Sequence, residues 1–340
     1  AAYSERAHIS DTGFGIDSLK AEDGTELLAA PVGLVAISDA SDTWAHGVVR
    51  FRQEIGRPQF ESGIVIEQGP VTHVTRHRAR WRTSEIVMDI ARFAGMDVVE
   101  LRFTIDWHEK EEMLKLEIPT ALKETKFFAK VPGGVLERKT NGEEEPYQDW
   151  GAVSGTVNGK EYTVALLNAQ TYSYDCLDGL FRTVLIRSAP FARHNPAQVP
   201  HDDAFAWQDQ GRQERRFWLM GAGVPWTAMP LDRMAEELQT PAEVVTDAAH
   251  AGSEPWERSF VEVMPENVWV LAMKRAEDAA GEVVLRVQER AGKRTTASLQ
   301  AGAWSLDERV ELEPWEIKTV RLTPAKGGRA GIKVVSLMET

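Results

Sequence analysis

Positive charge, cysteine, long apolar runs and helical periodicity are what this sequence has least of, and each shortage excludes something. Lys and Arg number 39 against 52 Asp and Glu, leaving a formal charge of -13 and a pI near 5.2. A nucleic-acid or anionic-membrane partner needs clustered cations to neutralise phosphate, so neither is expected. Cys176 is the single cysteine, which rules out an intrachain disulfide and leaves the redox compartment open. No catalytic motif surrounds it, so a buried, inert thiol is expected. No uninterrupted apolar run reaches the roughly 18 residues of a membrane-spanning helix. Nor does a basic segment followed by an apolar one open the chain. The cytoplasm is the expected compartment.

What is present is strand after strand. A chain of 340 residues exceeds a typical single domain, so two domains are expected, one of them large. The hydrophobic content of 43% and the 11 Trp supply material for the core. Asp23-Gly24 separates two short apolar runs, a hairpin signal. Pro31 to Ile37, GVVRFRQEIG, GIVIEQG, VTHVTRHRARW, EIVMDIARFAG and DVVELRFTIDWH follow as strands. In the last of these Val99, Leu101, Phe103 and Ile105 share one face. KEEMLKLEI, Lys110 to Ile118, fits an amphipathic helix or a charged strand connection equally well. Glu143-Glu144-Glu145 is a charge run whose default meaning is a solvated loop. The clearest helix is PLDRMAEELQ, Pro230 to Gln239, which Pro241 stops. The expected division is a large β-domain over 1–240, a turn-rich linker over 241–259 and a small β-domain over 260–340.

The organising stretch runs from Glu145 to Arg187. It holds a polar loop, a turn at Asn158-Gly159, the run YTVALLN, an acidic turn over Asp175 to Gly179, and the strand FRTVLIR. Strict alternation puts Phe181, Thr183, Leu185 and Arg187 on one face. Pro190 cannot donate to a central ladder, so this strand should end just before it. A cation at the end of a packed strand asks for a partner.

The series EPYQDW, LLNAQTYSYD, LFRTVLIRSAP and DQG resembles the C-terminal β-region of family 38 glycoside hydrolases, the α-mannosidases. DTWAHGV (Asp42 to Val48), EQGPV (Glu67 to Val71), DWHEKEEMLKLEIP (Asp106 to Pro119) and NVWVLAMKRAED (Asn267 to Asp278) occur in the order that family uses. The likeness covers nearly the whole chain. It implies an all-β fold: a large antiparallel β-supersandwich of galactose mutarotase-like type, then a small β-sandwich domain. The chain then reads as the C-terminal, non-catalytic part of a retaining α-mannosidase, with no catalytic residue and no metal ligand of its own. Zinc, the nucleophile and the acid/base are implied in catalytic and helical domains lying N-terminal to it. Those domains and a mannose-containing oligosaccharide are the implied partners.

Three residues are the candidates for substrate binding. The resemblance puts a strand-end Arg, here Arg187, where the β-region reaches toward the active site, with Asp175 in the acidic turn nearby. His46 occupies a position where the family keeps a His. A structural ion pair between Arg187 and an acidic loop residue is the rival reading, and a buried, backbone-satisfied imidazole is the rival for His46. Trp44, Trp107, Trp150 and Trp207 adjoin polar loop residues, where an indole face can stack on a pyranose, or can simply pack in the core. His73 and His77 lie about 13 Å apart on one strand face and cannot share an ion. PHDDAFAW at 200–207 is an accidental likeness to a metal motif. Ala45 stands where the family often has Gly, and Gln213 where a His is frequent. Two other functions fit the same composition: a stand-alone carbohydrate-binding sandwich, or a mutarotase-like epimerase or lyase using His46, His73 and Glu67.

Overall fold

The computed structural model of the chain describes residues 3, 6–191, 206–253, 255–278, 281–302, 305–323 and 330–339. Most of the 200–207 motif therefore lies outside the described residues. The chain divides into two compact units, Ala1–Val131 with Val135–Ala242, and Pro132–Gly134 with Glu243–Thr340. Among the described residues, no helix is long and apolar enough to cross a membrane.

The larger unit is an antiparallel β-supersandwich. One sheet has six strands in the order Glu145–Pro146, Ser173–Leu177, Leu180–Arg187, Glu112–Pro119, Gly33–Ser38 and Glu54–Gly56. The other has ten. Its path runs through Gly134–Arg138, Lys123–Val131, Trp150–Val157, Lys160–Asn168, Gly211–Ala222, Val99–Trp107, Ser84–Phe93, Thr72–Trp81 and Gln59–Phe60, and Ile64–Gln68 also pairs with Thr72–Trp81. Period-two alternation sets the inner faces. Leu114, Leu116, Ile118 and Phe181 from the first sheet meet Ile86, Leu101, Phe103, Val164 and Phe217 from the second in one buried core. The turn at Asn158-Gly159 has φ of 52° and 79°, the positive pair that a two-residue hairpin between Val157 and Lys160 requires.

Three expectations change. The stretch 110–118 is a strand, Glu112–Pro119, flanked on both sides by sheet neighbours. Its charged positions are buried because they find ionic partners, which removes the reason to place them in a solvated helix or connection. In GVVRFRQEIG only Glu54–Gly56 is extended in a sheet, and Val48 and Val49 are exposed. Glu143–Glu145 is not a free loop either: Glu145 enters a short edge strand and Glu144 is drawn into the sheet's charged face. The expected helix forms over Leu231–Gln239 and buries Leu231, Ala235 and Leu238 against the outer face of the larger sheet. Burial of each Leu contributes roughly 2 kcal/mol.

The smaller unit packs a three-stranded sheet (Glu262–Met264, Thr295–Ala301, Leu306–Leu312) against a four-stranded one (Val268–Arg275, Val283–Glu289, Ile317–Thr323, Gly331–Val335). Leu285, Val287, Leu299, Val310, Val320 and Leu322 form its core.

Candidate functional site

The outer face of the six-stranded sheet carries the charge, and a bulge decides what reaches it. Lys115 pairs with Val184 and Leu114 with Ile186, so Leu185 is an extra residue between them. Leu185 and Ile186 both turn into the core. Arg187, opposite Met113, is thereby carried to the outer face, beside the small cluster of Val35, Ile37, Phe51, Met113 and Val184. Strict alternation had put it on the face of Phe181, Thr183 and Leu185. One inserted residue reverses side-chain direction for everything after it.

At that strand end the Arg187 guanidinium fastens the loop that follows Gly33–Ser38. Nε donates to Asp39 Oδ2 at 2.8 Å, Nη1 to the Thr43 carbonyl at 3.0 Å, and Nη2 to Ser41 Oγ at 2.9 Å and the Asp42 carbonyl at 2.7 Å. The guanidinium also lies over the Phe51 ring, 5.4 Å from its centroid. Only this planar fork serves four acceptors at once; an ammonium cannot reproduce it. The Arg187 backbone N–H donates to Asp209 Oδ2 at 3.0 Å. The ion pair with an acidic loop residue is thus present, and the loop it holds leads directly to Trp44 and His46.

Trp44 and His46 are 54% and 55% exposed. Their rings lie 6.0 Å apart at 45°, and Phe191 flanks Trp44 at 6.3 Å and 42°. His46 Nε2 stands 3.5 Å from Asp42 Oδ2. Ala45, between the two aromatic residues, has φ of 56°. It therefore occupies the left-handed region where glycine is at ease.

Asp175 sits deeper, 1% exposed. Oδ1 accepts from Arg52 Nη1 at 3.0 Å and Arg182 Nη2 at 2.8 Å, and Oδ2 from Lys115 Nζ at 2.7 Å and Arg182 Nε at 3.1 Å. Lys115, itself fully buried, also reaches Glu144, whose other oxygen accepts from Ser173 Oγ at 2.7 Å. Three cations thus surround two carboxylates. Asp175 has no surface here with which to meet a sugar; it anchors the network beneath the face. Lys115, Arg182 and Asp42 were missed from the sequence. The alternation of KLE in a strand-compatible segment was the one available signal for Lys115, and the Asp- and Ser-rich SDASD preceding Thr43 the one for Asp42.

The other candidates are packing residues. Trp107 and Trp150 are buried, donating from Nε1 to Ser188 Oγ at 3.1 Å and Asp232 Oδ1 at 2.7 Å. Trp207 is half-buried under Lys110 Nζ at 5.2 Å. His73 and His77 lie on the strand Thr72–Trp81, His77 fully buried and held below its ordinary pKa by desolvation. Cys176 is buried, and desolvation with the neighbouring Asp175 charge pushes its thiol up to about 12. Among the described residues no group of three His, Cys, Asp or Glu side chains converges to hold a metal, so these residues do not fit a zinc site.

Residues 6–195 match the family described as the glycosyl hydrolases family 38 C-terminal domain. The chain belongs to that family. It is 25% identical over 194 residues to Alpha-mannosidase 2C1 of Homo sapiens, a match that covers 53% of this chain and 18% of that protein. Two solved structures share its fold with a TM-score of 0.70. A glycosyl hydrolase family 38 protein from Enterococcus faecalis is 16% identical, with 87% of this chain and 40% of that one covered. An alpha-mannosidase from Enterococcus faecalis V583 is 15% identical, with 89% and 39% covered. The chain spans less than half the length of each of these relatives. The motifs around Asp42–Val48 and Leu180–Arg187 both fall inside the family 38 match.

Proposed function

We propose that this chain is the non-catalytic β-region of a retaining α-mannosidase, and that it lines part of the sugar pocket with the loop that Arg187 holds. The family supports the activity. The arrangement that carries the local reading is the four-acceptor Arg187 clamp on residues 39–43, which presents an exposed Trp and His together. An indole face packs against the C–H face of a pyranose, and an imidazole exchanges hydrogen bonds with its hydroxyls. Arg187 acts on substrate through the loop, and Asp175 through the network that stiffens the neighbouring strands. Zinc, held by residues outside this chain, would supply binding of the mannose hydroxyls.

Arg187→Lys in the complete enzyme tests this. Losing the fork frees the loop, so kcat/KM on an aryl α-mannoside should fall about tenfold or more, the equivalent of about 1.4 kcal/mol. The melting temperature should move by only a few degrees, because lysine keeps a positive charge beside the buried Asp39. Unchanged kcat/KM per folded molecule, alongside a large drop in melting temperature, defeats the proposal. The isolated chain should show no turnover of the same substrate with zinc added. Zinc-dependent turnover by the purified chain would contradict a non-catalytic role.

A further inference from the structure

One edge of the ten-stranded sheet is apolar and exposed. Ile64–Gln68 pairs along one side with Thr72–Trp81, and among the described residues no strand pairs along its other side. All five of its residues are exposed. Three in a row are large and apolar: Ile64 at 58%, Val65 at 56% and Ile66 at 43% exposure, and Val71, just past Gly69-Pro70, is 64% exposed. Edges of this kind are normally guarded by charge or proline, because an exposed apolar edge invites association. Val65 pairs with Thr75 and Glu67 with Val74, so Ile66 is an extra residue at a bulge. A bulge breaks the regular row of backbone donors and acceptors that a further strand would need. What the edge offers is therefore side chains, not a template for strand addition.

We propose that Ile64, Val65, Ile66 and Val71 form the seat for the catalytic region of the same polypeptide, which packs an apolar surface of its own against them. This rests on the reading of the chain as the β-region of a longer α-mannosidase. The placement of Tyr3 singles out that occupant. The Tyr3 hydroxyl donates to the Gly69 carbonyl, and Tyr3 bridges to Ala94. Its ring meets His73 edge-on at 5.9 Å and 65°, and the Arg92 guanidinium lies 5.8 Å from its centroid. His73 is itself the ladder partner of Gln68, so Tyr3 is fastened to the hairpin whose tip carries Val71. A region preceding residue 1 enters beside the patch. Its tether holds it there at an effective concentration on the order of millimolar, enough for a small surface to be occupied. A second copy has no tether, and two chains of charge -13 repel one another.

Hydrogen–deuterium exchange, read by mass spectrometry on peptides spanning residues 62–72, compares the 340-residue chain with the complete enzyme. In the complete enzyme these amides should exchange about tenfold more slowly or better. Ile64→Thr with Ile66→Thr keeps two β-branched residues while removing apolar surface. That double variant should restore most of the fast exchange in the complete enzyme and leave the melting temperature of the 340-residue chain unchanged. Equal exchange of residues 62–72 in the two proteins overturns the proposal, as does protection that the double variant leaves intact. Light scattering covers the other occupant: a dimer of the 340-residue chain that the same variant dissociates assigns the edge to a second copy and likewise overturns it. Turnover of an aryl α-mannoside by the complete enzyme separates the two readings. Activity without protection sinks the docking seat alone, and protection without activity leaves the seat standing and sinks the α-mannosidase reading.

Discussion

Replacing Asp175 with Asn should be among the most damaging single changes in the larger unit. The amide keeps the shape and removes the charge that Lys115, Arg182 and Arg52 share. Their side chains are 0%, 4% and 29% exposed. Lys115 retains Glu144, and Arg52 can be hydrated at its exposed end. Arg182 is the cation stranded, nearly dry and without its bidentate partner. Removing one member of a buried ion pair costs roughly 3 to 5 kcal/mol; because two of the three cations have other recourse, the lower figure, about 3 kcal/mol, is expected. For a unit of this size that corresponds to a fall in melting temperature of about 6 to 12 °C. Urea unfolding followed by tryptophan fluorescence measures it as a lower midpoint with an unchanged slope. Removing the stranded cation as well, in Asp175→Asn with Arg182→Met, should recover about 1 to 2 kcal/mol of the loss. A single-variant loss below about 1 kcal/mol, or a double variant that loses the full sum of the two singles, would refute the reasoning.

Further outcomes follow from the same geometry. Ala45→Gly relieves a left-handed backbone at φ 56° and should stabilise the chain by about 0.5 to 1 kcal/mol, net of the glycine's extra freedom when unfolded; a lower unfolding midpoint would count against the strain. Cys176, with its thiol pushed up to about 12 by burial and by Asp175, should resist a disulfide-exchange reagent at pH 8 until urea unfolds the chain, so rapid labelling under native conditions would contradict its burial. His77 has a folded pKa below its ordinary value because burial disfavours the imidazolium. The unfolded state therefore binds the proton first, and stability should fall as pH drops below about 6.5 toward the lower folded value. His77→Phe should flatten that part of the stability-versus-pH curve, and an unaltered curve would show that His77 does not govern it.

Local pattern made much of this protein legible from its residues alone. Two-residue alternation marks Thr72–Trp81, Ser84–Phe93 and Val99–Trp107 as strands with one buried face, and each forms as such. Asn158-Gly159 specifies its own turn, because few other residues adopt two positive φ angles in succession. Apolar spacing and a following proline delimit the single α-helix among the described residues. These signals rest on interactions within a few residues, which is the range that sequence order records.

The site lies at longer range. Lys115 is buried because Glu144 and Asp175, 29 and 60 residues along the chain, arrive beside it; nothing near Lys115 in the sequence announces either. Arg187 reaches the outer face because Leu185 has no partner of its own across the ladder, and a bulge is a property of two strands in register, which one strand cannot display. Its four acceptors belong to residues 39–43, more than 140 positions earlier. Period and turn chemistry determined which segments would be strands. Which charges those strands would bury, and which loop Arg187 would hold, was decided only when the two sheets closed over one core, because desolvation and pairing depend on neighbours in space.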